Sequence, residues 1–124
     1  MVTYYEYLKS ILEKIIVAHN TLAKLEDKPG DLTIIKKEIL KINGFFQVLI
    51  NKMDTEKLSS TNLSDLKLKL EYYLENYSFE KEIETMAPLY SDDSNRLKNM
   101  RLKIIESLAD KKLMDNIEYT IEKL

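Results

Sequence analysis

The stretch 32–53, LTIIKKEILKINGFFQVLINKM, limits what this chain can become more than any other part of it. Leu32, Ile35, Ile39, Ile42, Phe46, Leu49 and Met53 recur at alternating steps of three and four, which is the spacing of one face of an α-helix. Ile34, Leu40, Phe45, Val48 and Ile50 widen that face and leave only a thin polar stripe of Lys37, Lys41, Gly44 and Asn51. A helix that is apolar over most of its girth has to be wrapped by others. Residues 32–53 are therefore expected to form the central helix of a small bundle.

The flanking sequence supports the same class. A second heptad-spaced face, Tyr4, Leu8, Ile11, Ile15, Ala18, Leu22 and Leu25, predicts a first helix over 2–26. Asp27-Lys28-Pro29-Gly30-Asp31 then stops it, because Pro29 disfavours helical geometry at Lys28 and Gly30 is free to turn. Asp31 is a natural N-cap for the central helix. So short a link makes the two helices antiparallel neighbours.

Residues 54–62 are polar apart from Leu58 and read as a loop, after which Ser64 is placed to cap a third helix with the face Leu63, Leu66, Leu70, Tyr73 and Tyr77. The run 66–70 also alternates with period two, but no second run stands nearby to pair with it as a strand. Ser78 is placed to recap a short helix carrying Phe79, Ile83 and Met86, ended by Pro88. Ser91-Asp92-Asp93-Ser94 is a dense helix-start signal.

The last helical pattern runs from 93 to 124. Leu102, Ile105, Ala109, Leu113, Ile117, Ile121 and Leu124 share one face, and Leu97, Met100, Ile104 and Leu108 add to it in the first half. A continuous helix of that length would measure about 45 Å, against a radius of gyration of about 14 Å for a compact domain of this size. It would protrude or pair with a second subunit, unless 109–112 is a break. The expectation is a single all-α domain over 1–124, a bundle of four to five helices. Coiled-coil-like association into a homodimer is allowed by the heptads.

Composition narrows the function classes. With two Gly and two Pro in 124 residues, the chain has too few turn formers for many short strands. A net charge of −2 gives no overall steering toward nucleic acid or an anionic membrane. Cysteine is absent, so there is no disulfide, thiol nucleophile or zinc-thiolate site. The N-terminal residues lack a basic n-region, and Glu6, Lys9, Glu13 and Lys14 interrupt any apolar core, so they do not read as a signal peptide. The longest uncharged run, 42–51, is about half of the ~20 residues a membrane span needs. A cytoplasmic protein is expected. Seventeen Lys against two Arg is the bias of AT-rich coding, as in low-GC bacteria, their phages and mobile elements.

No constellation announces catalysis or a cofactor. His19 is the one histidine, and with helical neighbours Ile15, Ile16, Leu22 and Ala23 it reads as a first-helix residue at the edge of the core or at the surface. No Glu-x-x-His pair, calcium loop or phosphate-binding glycine loop is present. By elimination the chain reads as a non-catalytic protein–protein interaction module: a regulator, adaptor or inhibitor.

Its candidate contact residues are exposed tyrosines, Tyr5, Tyr7 and Tyr72, and the acids Glu75, Glu80, Glu82 and Glu84 in a segment with one base. The alternatives are a nucleic-acid-associated protein using Arg96, Lys98, Arg101 and Lys103, or a structural subunit of a larger assembly. Those bases have no aromatic interleaving, which argues against nucleic acid.

Overall fold

The computed structural model describes residues 4–55, 61–90 and 93–123. They form α1 (Tyr4–Lys24), α2 (Asp31–Thr55), α3 (Thr61–Asn76), α4 (Glu80–Tyr90), α5 (Ser94–Ala109) and α6 (Leu113–Lys123), with one 3-10 turn, Asp110–Lys112, between the last two. The expected all-α bundle is the observed architecture. It has four arms, α1, α2, α3–α4 and α5–α6, of which the last two are broken. The ring closes through α1 on α2, α2 on α3 and α4, α3 on α6, and α5 and α6 on α1. Successive arms run in opposite directions, as in an up-and-down four-helix bundle.

The link between α1 and α2 is a tight turn. Lys28-Pro29-Gly30-Asp31 closes with the Asp31 N–H donating to the Lys28 carbonyl at 3.0 Å, and Gly30 takes φ +93°. Proline second and a positive-φ glycine third are the requirements of a type II turn. Asp31 does not act as the N-cap. It is the first residue of α2, and its Oδ2 accepts from the Lys28 N–H at 3.0 Å. The carboxylate reaches back to brace the turn instead of forward onto the helix.

The heptad faces of α1 and α2 are consumed within the chain. Leu8, Ile11, Ile15, Ala18 and Leu22 meet Leu32, Ile35, Ile39, Ile42, Phe46, Leu49 and Met53 in the core. Removing that much apolar surface from water is the main stabilising contribution. Two residues expected to widen the α2 face do not reach the core: Ile34 and Leu40 are exposed. Thus α2 is one arm of the bundle, with an open outer stripe, and not a helix wrapped on all sides.

Both breaks lie at the waist. The last bond of α3 runs from the Tyr77 N–H to the Tyr73 carbonyl at 2.8 Å, and the first of α4 from the Ile83 N–H to the Phe79 carbonyl at 3.0 Å. Between them Ser78 and Phe79 both take positive φ, 45° and 65°. Phe79, not Ser78, therefore stands at the head of α4. Phe79 is buried and stacks on Tyr77 with ring centroids 6.0 Å apart, which holds a bulky residue in a conformation it rarely adopts. Pro88 lies inside α4, in its last turn, and does not end it.

The last arm folds back. Asp93 caps α5 by accepting from the Arg96 N–H at 3.1 Å, as the sequence signal requires. Lys112 takes φ 59° at the 3-10 turn, and α6 then packs on α1 and α3. The break rotates the helical register, so the face spanning both halves does not exist. In α5 the buried apolar residues are Leu97, Ile104 and Leu108, while Leu102 and Ala109 are exposed. A protruding continuous helix is thereby excluded. Ser64 is interior to α3, and of the loop expected over 54–62 the ends are helical instead, 54–55 in α2 and 61–62 in α3, while 56–60 lie outside the described residues.

Candidate interaction surface

The outer seam between α2 and the α3–α4 arm carries the most distinctive surface. Leu40 leaves the core because it follows Ile39 by one residue, which turns it about 100° around the helix. It is 47% exposed. Lys36, Ile39 and Leu40 from α2 meet Glu80, Ile83 and Glu84 from α4 around a cavity of about 30 Å³. Beside it Thr33, Lys36, Lys37, Leu40 and Lys41 line an open depression of about 480 Å³. Further along the seam, Gln47 and Ile50 of α2 face Glu71, Leu74 and Glu75 of α3.

The seam thus has one basic bank, one acidic bank and an aliphatic floor. Lys41 is held by Glu38 at 3.4 Å. Among the described residues Lys36, Lys37, Glu80 and Glu84 have no ion-pair partner within 4 Å.

This arrangement gathers three of the four acids singled out from the sequence. Glu75, Glu80 and Glu84 lie along the seam, and Glu82, two positions from Glu80, is carried to another flank of α4. The tyrosines are elsewhere. Tyr5 and Tyr7 are 52% and 40% exposed at the start of α1, where the Tyr5 ring meets Tyr4 edge-on and Lys52 Nζ sits 5.5 Å from the Tyr7 ring centre. Tyr72, expected to be exposed, is half-buried and meets the Tyr77 ring edge-on. Tyrosines and acids therefore do not form one patch.

The basic set is also divided. Arg101 is committed: its Nε and a terminal nitrogen donate to the two carboxylate oxygens of Asp27 at 2.8 and 3.0 Å. The guanidinium beside Asp27 holds that carboxyl below its ordinary range, with a smaller contribution from Lys98, and Asp27 in turn raises Arg101. Arg96 and Lys103 share a depression with Met86, Asn99 and Met100. Lys98 falls on the other side of α5, toward Asp27. The four bases do not present one phosphate-binding face. The acidic α4 packs on α2, and its Met86 also meets the basic α5 at that depression.

No family model matches the chain, and no curated protein or solved structure matches it either. The functional reading therefore rests on the surface itself.

Other polar features belong to the framework. Burial lowers His19 from its ordinary value, against smaller raising effects from Asn20 and Glu118. Among the described residues no three His, Cys, Asp or Glu converge as a metal site, and no helix is long and apolar enough to cross a membrane. Sequence reasoning passed over Lys36, and took Leu40 for a core residue and Lys37 and Lys41 for a plain solvated stripe. The signal that finds them is angular: Lys36 and Leu40 are four apart, on the flank adjoining the stripe of Lys37, Lys41 and Gly44.

Proposed function

We propose that this protein is a small cytosolic protein-binding module without catalytic activity, a regulator, adaptor or inhibitor, and that the α2–α4 seam is its contact surface. The observation that carries this reading is Leu40. A leucine 47% exposed on the helix richest in core residues, with Lys36 and Lys37 on one bank and Glu80 and Glu84 on the other, none of them in an ion pair among the described residues, has the composition of an interface centre with a charged rim. The nucleic-acid alternative has less support, because Arg101 is bound to Asp27 and the remaining bases are divided between two sides of α5.

The test is affinity capture from the native or host lysate with and without nuclease, comparing the wild-type chain with Leu40→Asp. Leu40 is exposed, so the variant is expected to keep its helical circular dichroism. The proteins retained by the wild-type chain should be lost from Leu40→Asp. Equal recovery by both chains would dismiss the seam, and recovery that collapses with nuclease would favour nucleic acid.

A further inference from the structure

We propose that the partner received by the α2–α4 seam is a second copy of this chain, docked about a two-fold axis running along the seam. The inference rests on reading the seam as a binding surface and adds the identity of what binds there. A two-fold contact must be self-complementary, with each patch meeting its own copy. The seam satisfies that condition in charge and in height. Lys36 stands on the α2 bank and Glu80 and Glu84 on the α4 bank of the same cavity, so the opposite charges lie at one level along the bundle.

Rotation by 180° about an axis along the groove places α2 of one copy over α4 of the other without changing that level. Lys36 and Lys37 of each copy then face Glu80 and Glu84 of its mate, and the two Leu40 side chains meet near the axis. A direct α2-on-α2 pairing would instead set lysines against lysines. The heptad faces of α1 and α2 are already buried inside the chain and are not open to a second copy. Neither Lys36, Lys37, Glu80 nor Glu84 would have to break an ion pair between described residues to make the contact.

The experiment is a charge swap read by sedimentation equilibrium. One variant carries Lys36→Glu with Lys37→Glu, the other Glu80→Lys with Glu84→Lys. All four positions are exposed, and circular dichroism confirms that each variant folds. The wild-type chain is expected at twice 14.6 kDa. Each variant alone should associate at least about tenfold more weakly, because like charges now face one another.

An equimolar mixture of the two variants should recover a dimer near the wild-type affinity, since both banks are then matched again. Glu82→Lys, on another flank of α4, should leave association unchanged. A wild-type chain that stays monomeric, a mixture that fails to recover, or an equal loss from Glu82→Lys would overturn the proposal. A monomer whose lysate partners still depend on Leu40 would overturn the self-pairing alone and leave the seam as a surface for another protein. A dimer that survives Leu40→Asp would overturn the self-pairing through this seam, and equal lysate recovery by the wild-type chain and Leu40→Asp would overturn the seam itself.

Discussion

The Tyr77 hydroxyl donates a 2.8 Å hydrogen bond to Asp110 Oδ2, joining the break in one arm to the break in the other. On the inner side of the same level, Asn43 Nδ2 donates to the Ser78 carbonyl at 2.9 Å. Two interruptions that would each loosen a bundle are thus stacked, tied to one another and tied to α2. Tyr72, Tyr73, Tyr77, Phe79 and Phe46 fill the space around them with edge-on and stacked rings. Aromatic contacts of this kind add stabilisation beyond the area they bury.

The Asp110 bond should be visible in the tyrosine titration. Accepting from the hydroxyl, Asp110 is the first cause of a Tyr77 value pushed up from 10 to about 12. A raised value means that the neutral phenol is favoured in the fold. Its stabilisation is present below pH 10 and is lost as pH rises through about 12. Asp110→Asn should bring the Tyr77 transition down toward 10, followed by absorbance at the phenolate band with Tyr77→Phe to assign it. An unchanged transition in Asp110→Asn would show that the bond does not form in solution.

Asp27 and Arg101 tie the α1–α2 turn to α5, and both side chains are largely withdrawn from water. Removing one partner leaves the other charge poorly solvated, at a cost of about 2 kcal/mol for Arg101→Met. The Asp27 carboxyl is lowered in the fold, so its contribution is present above the unfolded value near 3.9 and is lost as pH falls through the folded value. Chemical denaturation should show a gap between wild type and Arg101→Met at pH 6 that narrows as pH falls below the unfolded value. Asp27 also holds φ +64°, so Asp27→Ala should cost more than Asp27→Asn, which tolerates that backbone.

Periodicity revealed the helices because burial of an apolar face is what stabilises them, and that pressure is written at every third or fourth residue of α1 and α2. It could not reveal the kinks with equal clarity. Ser78, Phe79 and Lys112 carry positive φ without a glycine among them, so the usual letter for such a backbone is missing. The α5–α6 break was legible only as an alternative, because 102, 105, 109, 113 and 117 mimic a continuous face that the turn at Lys112 destroys.

The acids of the seam were legible as a cluster of charge. Their opposite bank was not, since Lys36 and Leu40 become neighbours of Glu80 and Glu84 only after the α3–α4 arm has folded beside α2. Arg101 illustrates the same limit in reverse: its partner lies 74 residues away.

The two glycines should respond in opposite senses. Gly30 holds φ +93° in the turn, where any Cβ is strained, so Gly30→Ala should cost about 1 kcal/mol despite open space around it. Gly44 lies mid-helix on the exposed stripe, with nothing within 4 Å of an added Cβ. Gly44→Ala should therefore gain about 1 kcal/mol through reduced unfolded-chain entropy and better helix propensity. Thermal melts of the two variants should move apart, Gly30→Ala downward and Gly44→Ala upward. A drop for Gly44→Ala would mean that something approaches the stripe in solution.

Tyr73 and Tyr77 sit one helical turn apart, and their hydroxyls should have opposite worth. The Tyr77 hydroxyl has Asp110. The Tyr73 ring is 1% exposed and packs edge-on to Phe46 with centroids 5.1 Å apart, and its oxygen is buried with no hydrogen-bond partner among the described residues. Burial of that oxygen is the first cause of a Tyr73 value raised far above the usual phenol range. A buried hydroxyl without a partner carries an unrecovered desolvation cost, whereas phenylalanine fills the same ring volume without it. Tyr73→Phe should therefore stabilise the fold by about 1 kcal/mol, and Tyr77→Phe should lower its stability. Both are read in one urea series at neutral pH with an unchanged denaturant slope. A loss of stability in Tyr73→Phe would show that its hydroxyl is hydrogen-bonded in solution.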